Sequence, residues 1–183
     1  MPSPVDVQPT GINADPTLPP GLPPALLPGP TAAASGLTDT QATTIYSLVA
    51  HDLVEQSLAT ATSQTMPAFI GINPRAGEGP LLDTDATNGE IPPDLIDNLA
   101  DLRTTVTFSS FMDAIGSLDD GGVVRDNGIY LALGVLESDG PDRVRAYASY
   151  YRGATDATGY QYTLSRSPGG PWSIEDRQIM WDH

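Results

Sequence analysis

The sequence contains no lysine and no cysteine, and it has only two histidines among its 183 residues. Without cysteine the chain has no disulfide framework, no thiol nucleophile and no thiolate metal site. All eight basic residues are arginines, set against 23 acidic residues, which gives a net charge of −15. Such a chain lacks the cationic face that binding to nucleic acid or to an anionic membrane surface requires. We therefore expect neither as a direct partner.

The acidity comes from missing lysine rather than from an excess of acidic residues. Two explanations stay open: a GC-rich genome, in which arginine codons replace lysine codons, and a surface adapted to high salt. No apolar run approaches the roughly 20 residues that a membrane-spanning helix needs, so we expect no membrane insertion. The first residues lack the basic segment and apolar core of a secretory signal, which predicts a cytoplasmic protein, free or peripheral on a membrane complex. An export signal already removed would change that expectation.

Residues 1–36 hold ten of the chain's 18 prolines and end in a run of small residues. Each proline removes a backbone donor and fixes φ, which excludes a helix or a central strand and favours polyproline II. The segment is therefore predicted to be an extended arm that docks on a partner protein, with a plain linker as the alternative. Its expected anchors are its four leucines: Leu18, Leu22, Leu26 and Leu27.

The rest of the chain, residues 37–183, has the size of one domain. Thr38 and Gln41 form a capping-box pair, and the apolar residues that follow recur at helical spacing, which predicts a helix to about residue 60. Residues 66–72 are predicted to be a short strand and residues 73–91 a loop, and the prolines at 92 and 93 open a second helix. From about residue 104 the apolar residues alternate, which predicts four or five antiparallel strands, the last with a bulge near 176–177.

Early helices and late alternating strands predict an α+β domain in which the first helix packs on a curved antiparallel sheet. The late strands contain the segments YYRG at 150–153, GYQYTLSR at 159–166 and GPWSI at 170–174, followed by Trp181. On these segments, residues 38–183 resemble the cystatin-like/NTF2-like superfamily of cone-shaped α+β domains, and more closely uncharacterised bacterial domains of that type. The superfamily includes enzymes, ligand binders and dimerising scaffolds, so the resemblance implies a fold rather than one function. The catalytic Asp/His pairs of its enzymes have no clear counterpart here.

Two groups of side chains are of the kinds that metals use. His51 and Glu55 lie one helical turn apart, but no third ligand is visible, and a solvated helix position is the simpler explanation. Asp83, Asp85 and Asn88 resemble the start of a calcium-binding loop, although the glycine that such a loop needs comes one position late. We therefore predict an acidic turn-rich loop there, and no metal or cofactor for the chain.

The strand predicted at 143–151 has arginine and tyrosine on one face. Alternation places five residues there: Arg143, Arg145, Tyr147, Ser149 and Tyr151. Arginine and tyrosine concentrate binding energy at protein interfaces, and an ordinary half-exposed strand face is the alternative. The opposite face of this strand is almost wholly apolar, which argues against acid–base catalysis inside the cone.

These features predict a non-catalytic accessory or scaffold subunit that docks, through its arm and its Arg/Tyr face, onto protein subunits of a larger assembly. Two settings fit: the aqueous face of a membrane energy-transducing complex, and a filament. The alternative is a small-molecule binder or enzyme that uses the apolar pocket between helix and sheet.

Overall fold

The computed structural model describes residues 36–59, 66–74, 76, 79, 91–92, 94–100, 102, 104–115 and 122–183. The helices in this part of the chain are α1 (Asp39–Ala59), α2 (Leu95–Asn98) and α3 (Phe111–Ala114), with a 3-10 turn at Arg125–Asn127. The strands are β1 (Ala68–Ile72), β2 (Val106–Phe108), β3 (Ile129–Ser138), β4 (Arg143–Gly153), β5 (Asp156–Ser165) and β6 (Ser173–Asp182). The coarse prediction of an α+β domain is confirmed.

The six strands form one sheet in the order β2-β1-β3-β4-β5-β6. From β3 to β6 the strands pair antiparallel, as the alternating pattern predicts. β1, however, pairs parallel with both of its neighbours, β2 and β3. The expectation of an antiparallel sheet throughout is therefore wrong for the pairings of β1 with β2 and with β3. The stretches between β1 and β2 and between β2 and β3 are long enough to return the chain to the same end of the sheet, which parallel pairing requires.

Local side-chain hydrogen bonds fix the start of α1. The backbone N–H of Thr38 donates to Oε1 of Gln41 at 2.9 Å, and the N–H of Gln41 donates to Oγ1 of Thr38 at 3.3 Å. This reciprocal pair satisfies two donors that the first helical turn would otherwise leave open. The predicted capping box is thus confirmed.

The helix packs over one face of the sheet, here called the inner face. Its buried side chains, among them Ile45, Val49 and Leu53, meet those of the central strands and of α2 in one apolar cluster. From the sheet this cluster includes Leu131, Leu133, Val144, Ala146, Ala148, Tyr150, Tyr160, Tyr162 and Leu164. The apolar face predicted for the strand at 143–151 is confirmed, because its residues Val144, Ala146, Ala148 and Tyr150 all lie in this core.

The opposite face of the sheet is here called the outer face, and α3 covers one end of it. None of the described helices packs over its other end, here called the uncovered end. At the covered end Phe111 of α3 packs edge-on against Tyr130 and Tyr151, with ring centroids 5.3 and 5.0 Å apart. Ser110 caps this short helix, since its Oγ accepts a hydrogen bond from the N–H of Asp113 at 3.1 Å. The chain therefore has a second apolar cluster on the outer face, which the sequence pattern did not predict.

Two bulges interrupt β6, the strand at one edge of the sheet. Its pairing with β5 passes from Thr163↔Asp176 to Leu164↔Ile174, which leaves Glu175 as an extra residue. Near the other end Met180 is extra in the same way. The predicted change of phase in this strand is therefore real, and the first bulge lies one residue before the predicted position.

Candidate interaction surface

The uncovered end of the outer face has a set of charged and polar side chains, here called the charged strip: Glu137, Arg143, Arg145, Tyr147 and Glu175. β3 and β4 bring Glu137 and Arg145 directly opposite each other, and their side chains form an ion pair at 3.3 Å. Arg143 lies 3.6 Å from Glu175 of β6. The strip therefore crosses the sheet from β3 to β6, although Glu175 is distant in sequence from its other members.

Tyr147 is the aromatic member of the charged strip. Its Oη donates a hydrogen bond to Oε2 of Glu137 at 3.3 Å. Burial raises the pKa of this phenol, and the charge of Glu137 raises it further, while Arg145 opposes the shift. Tyr147 is therefore an uncharged donor at neutral pH, fixed by the same carboxylate that pairs with Arg145.

The ion pairs of the charged strip contribute little to folding. Half of the Arg143 side chain and 42% of the Arg145 side chain are exposed. Exposed pairs of this kind are worth about 0–1 kcal/mol each, because water and salt screen them. What they do provide is a fixed pattern of both signs of charge beside a tyrosine, which suits recognition of another protein surface.

Two members of the predicted Arg/Tyr face are not available to a partner. Tyr151 is 2% exposed and Ser149 is fully buried. Tyr151 packs against Phe111 and belongs to the apolar cluster beneath α3. Tyr151 is on the predicted face, but α3 covers that end of β4, and the strand's own alternation could not reveal a cover from another part of the chain.

The inner face contains a polar group that the sequence did not predict. Asp52 of α1 accepts a hydrogen bond from the Oη of Tyr162 at 2.9 Å and pairs with Arg177 of β6 at 2.6 Å through the same oxygen. The guanidinium of Arg177 also lies over the ring of Tyr160, 5.3 Å from its centroid. This group links the helix to the edge strand across β5.

Burial and the charge of Asp52 determine the protonation states in this group. Burial raises the pKa of Tyr162 most, and Asp52 raises it further, so the phenol stays protonated as a donor. Burial lowers the pKa of Arg177, but its hydrogen bond and ion pair with Asp52 outweigh this and leave the pKa raised. The three side chains satisfy one another, because Tyr162 and Arg177 both donate to the carboxylate of Asp52. The group is therefore structural.

The predicted metal candidates fall into two cases. His51 is partly buried on α1 and Glu55 is exposed one turn later. Among the residues that the structure describes, no group of three or more His, Asp or Glu is placed to hold a metal ion. Asp83, Asp85 and Asn88 lie outside the described residues, as do the predicted arm anchors Leu18, Leu22, Leu26 and Leu27.

No family model, no curated protein and no solved structure matches this chain. The resemblance to the cystatin-like/NTF2-like superfamily therefore stays a prediction. In the described part of the chain, none of the helices has both the length and the apolar character needed to cross a bilayer.

Proposed function

We propose that this chain is a non-catalytic accessory or scaffold subunit of a larger protein assembly, docking through the charged strip and through the Pro-rich arm. The observation that supports the proposal is the strip itself. Arg143, Arg145 and Tyr147 stand in a row on the end of the outer face that no described helix covers, and the ion pairs of the two arginines add little to stability. Apolar side chains occupy the space beneath α1, which argues against a catalytic site there. This favours a docking function over an enzymatic one.

The same proposal includes the finer fold, the partner class and the location. We infer a cone-shaped domain of the cystatin-like/NTF2-like kind, in the cytoplasm, with protein subunits as partners. The aqueous face of a membrane energy-transducing complex and a filament are the two settings that fit such a subunit. The arm and the strip would then provide two attachments, each weak alone and stronger together because the second becomes intramolecular.

The test is the native size of the protein in its source cells. Tagged wild-type protein should elute in a large assembly of constant composition, and Arg145→Glu should shift it toward the size of the free chain. Arg125→Glu is the matched control, because Arg125 is also exposed but lies outside the strip. The proposal is wrong if wild-type protein elutes as a free monomer, or if both variants behave alike.

A further inference from the structure

A row of small residues crosses the outer face of the sheet, beside the charged strip. The strand register sets Gly71 of β1 beside Ala132, Ala132 beside Ser149, and Ser149 beside Gly159 of β5. All four residues are buried. These four, here called the small-residue row, have side chains of at most two heavy atoms, so larger neighbouring side chains close over them.

Aromatic rings fill the two ends of the small-residue row. A Cβ atom on Gly71 would collide with the Oη of Tyr130, and a Cβ atom on Gly159 would collide with the indole ring of Trp181. Tyr130 is fully buried, whereas Trp181 is only partly buried and stands on the edge strand, next to the bulge at Met180. Trp181 is therefore the ring that can move aside with the least disturbance to the sheet.

Two polar atoms at this place have no hydrogen-bond partner in the described part of the chain. They are the Oγ of Ser149 and the Nε1 of Trp181, and both atoms are buried. Ser149 is itself fully buried, and only Gly159 separates it from Trp181 across the strands. Buried polar groups are nearly always paired, so two unpaired ones at neighbouring positions call for an explanation.

We propose that the small-residue row is a binding site for a small, planar, uncharged aromatic molecule with a carbonyl group, which enters when Trp181 swings aside. The ligand would lie flat on the row, between the rings of Tyr130 and Trp181. Its carbonyl would accept hydrogen bonds from the Oγ of Ser149 and the Nε1 of Trp181. This site goes beyond the docking function and does not depend on it.

The chemistry of the row selects this class of ligand. Glycine and alanine form a flat floor, and aromatic walls favour stacked or edge-on rings. The indole N–H only donates, and a serine hydroxyl can donate, so the ligand must supply an acceptor. Burying a charged group there would be costly, because the strip's arginines already pair with acidic side chains.

The test uses the indole N–H signals in a ¹H–¹⁵N spectrum of the full chain. The chain has two tryptophans, so the variant Trp172→Phe identifies the signal of Trp181. The probe is quinolin-2-one, a planar two-ring molecule with a carbonyl, and the control is naphthalene, which has the same outline without it. Quinolin-2-one should shift the Trp181 signal and leave the Trp172 signal in place, with naphthalene binding at least several-fold more weakly.

The variant Ser149→Ala separates a ligand site from ordinary structure. Removing an unpaired buried hydroxyl should leave the melting temperature unchanged or higher, while the affinity for quinolin-2-one should fall about fivefold, the loss of one hydrogen bond. Ser167→Ala, in the exposed turn after β5, should change neither quantity.

Three results would overturn the proposal. The first is that quinolin-2-one leaves the Trp181 signal unmoved, and the second is that naphthalene binds equally well. The third is that Ser149→Ala lowers the melting temperature by several degrees, because the hydroxyl would then be bonded already, for instance to a structural water.

Discussion

The two faces of the sheet are built from the same four long strands, yet they differ in what covers them. The inner face lies beneath α1 and has an apolar centre, with the charged pair of Asp52 and Arg177 toward the edge strand. The outer face is divided across its length. Beneath α3 it is aromatic and buried, and beyond α3 it has the exposed ion pairs of the charged strip.

This difference indicates where the chain's stability arises and where its surface is free to bind. Buried apolar area stabilises a fold far more than exposed ion pairs do. The inner face therefore supplies most of the stability, while the uncovered end of the outer face can change with little cost to folding. Four substitutions test this division, beginning with the one expected to have the largest effect.

The largest effect should come from the inner core. Leu133 is fully buried beneath α1, so Leu133→Ala should lower the free energy of unfolding by about 2–5 kcal/mol through lost contacts and a cavity. Urea unfolding measures the change. Gln161→Ala, on the outer face of β5 and only half-buried, should cost less than about 1 kcal/mol. Equal losses would mean that both faces support the fold alike.

A smaller loss should follow when the charged link between α1 and β6 is cut. Asp52→Asn keeps an acceptor for Tyr162 but removes the charge that Arg177 faces, so we expect a loss of about 2 kcal/mol. Glu55→Gln, one turn along the same helix and exposed, should change the stability by less than about 0.5 kcal/mol. Thermal melts compare the two variants. Equal melting temperatures would show that the contact between Asp52 and Arg177 does not stabilise the fold.

The sequence predicted α1, its cap and the antiparallel strands because those features depend on neighbouring residues. Periodicity identified the inward side of β4, and the phase change in β6 revealed a bulge within one residue. The parallel pairing of β1 and the cover over Tyr151 were missed, because both depend on contacts between distant segments. The group of Asp52, Tyr162 and Arg177 was missed for the same reason, since its members are separated by 110 and 125 residues from Asp52.

An intermediate effect should appear at alkaline pH. Tyr46 donates to the carbonyl of Gly134 at 2.9 Å, and burial raises the pKa of its phenol to about 12. The unfolded phenol titrates near 10, so the unfolded chain loses this proton first, and stability falls as the pH rises from about 10 toward 12.

Tyr46→Phe should therefore cost about 1 kcal/mol at pH 7, for the lost hydrogen bond, and should flatten the alkaline fall. It should not abolish the fall, because burial also raises the pKa of Tyr130 and Tyr162. Unfolding free energies from pH 7 to 11 for both proteins give the two slopes. Identical slopes would show that Tyr46 does not contribute.

The smallest effect should come from the charged strip. Arg143 lies 3.9 Å from Asp139 and 3.6 Å from Glu175, but half of its side chain is in water, so Arg143→Ala should change the stability by less than about 0.5 kcal/mol. Arg166→Ala is the contrasting case, since Arg166 pairs with Asp142 at 2.8 Å and lies over Trp172, 4.7 Å from the ring centroid. With only 22% of its side chain exposed, that arginine should cost about 1 kcal/mol or more when removed. Chemical denaturation compares the two variants. If Arg143→Ala lowered the free energy of unfolding more than Arg166→Ala, the division of the two faces would be wrong. If Arg143→Ala is neutral for folding yet weakens assembly in the cell, the strip's role is binding.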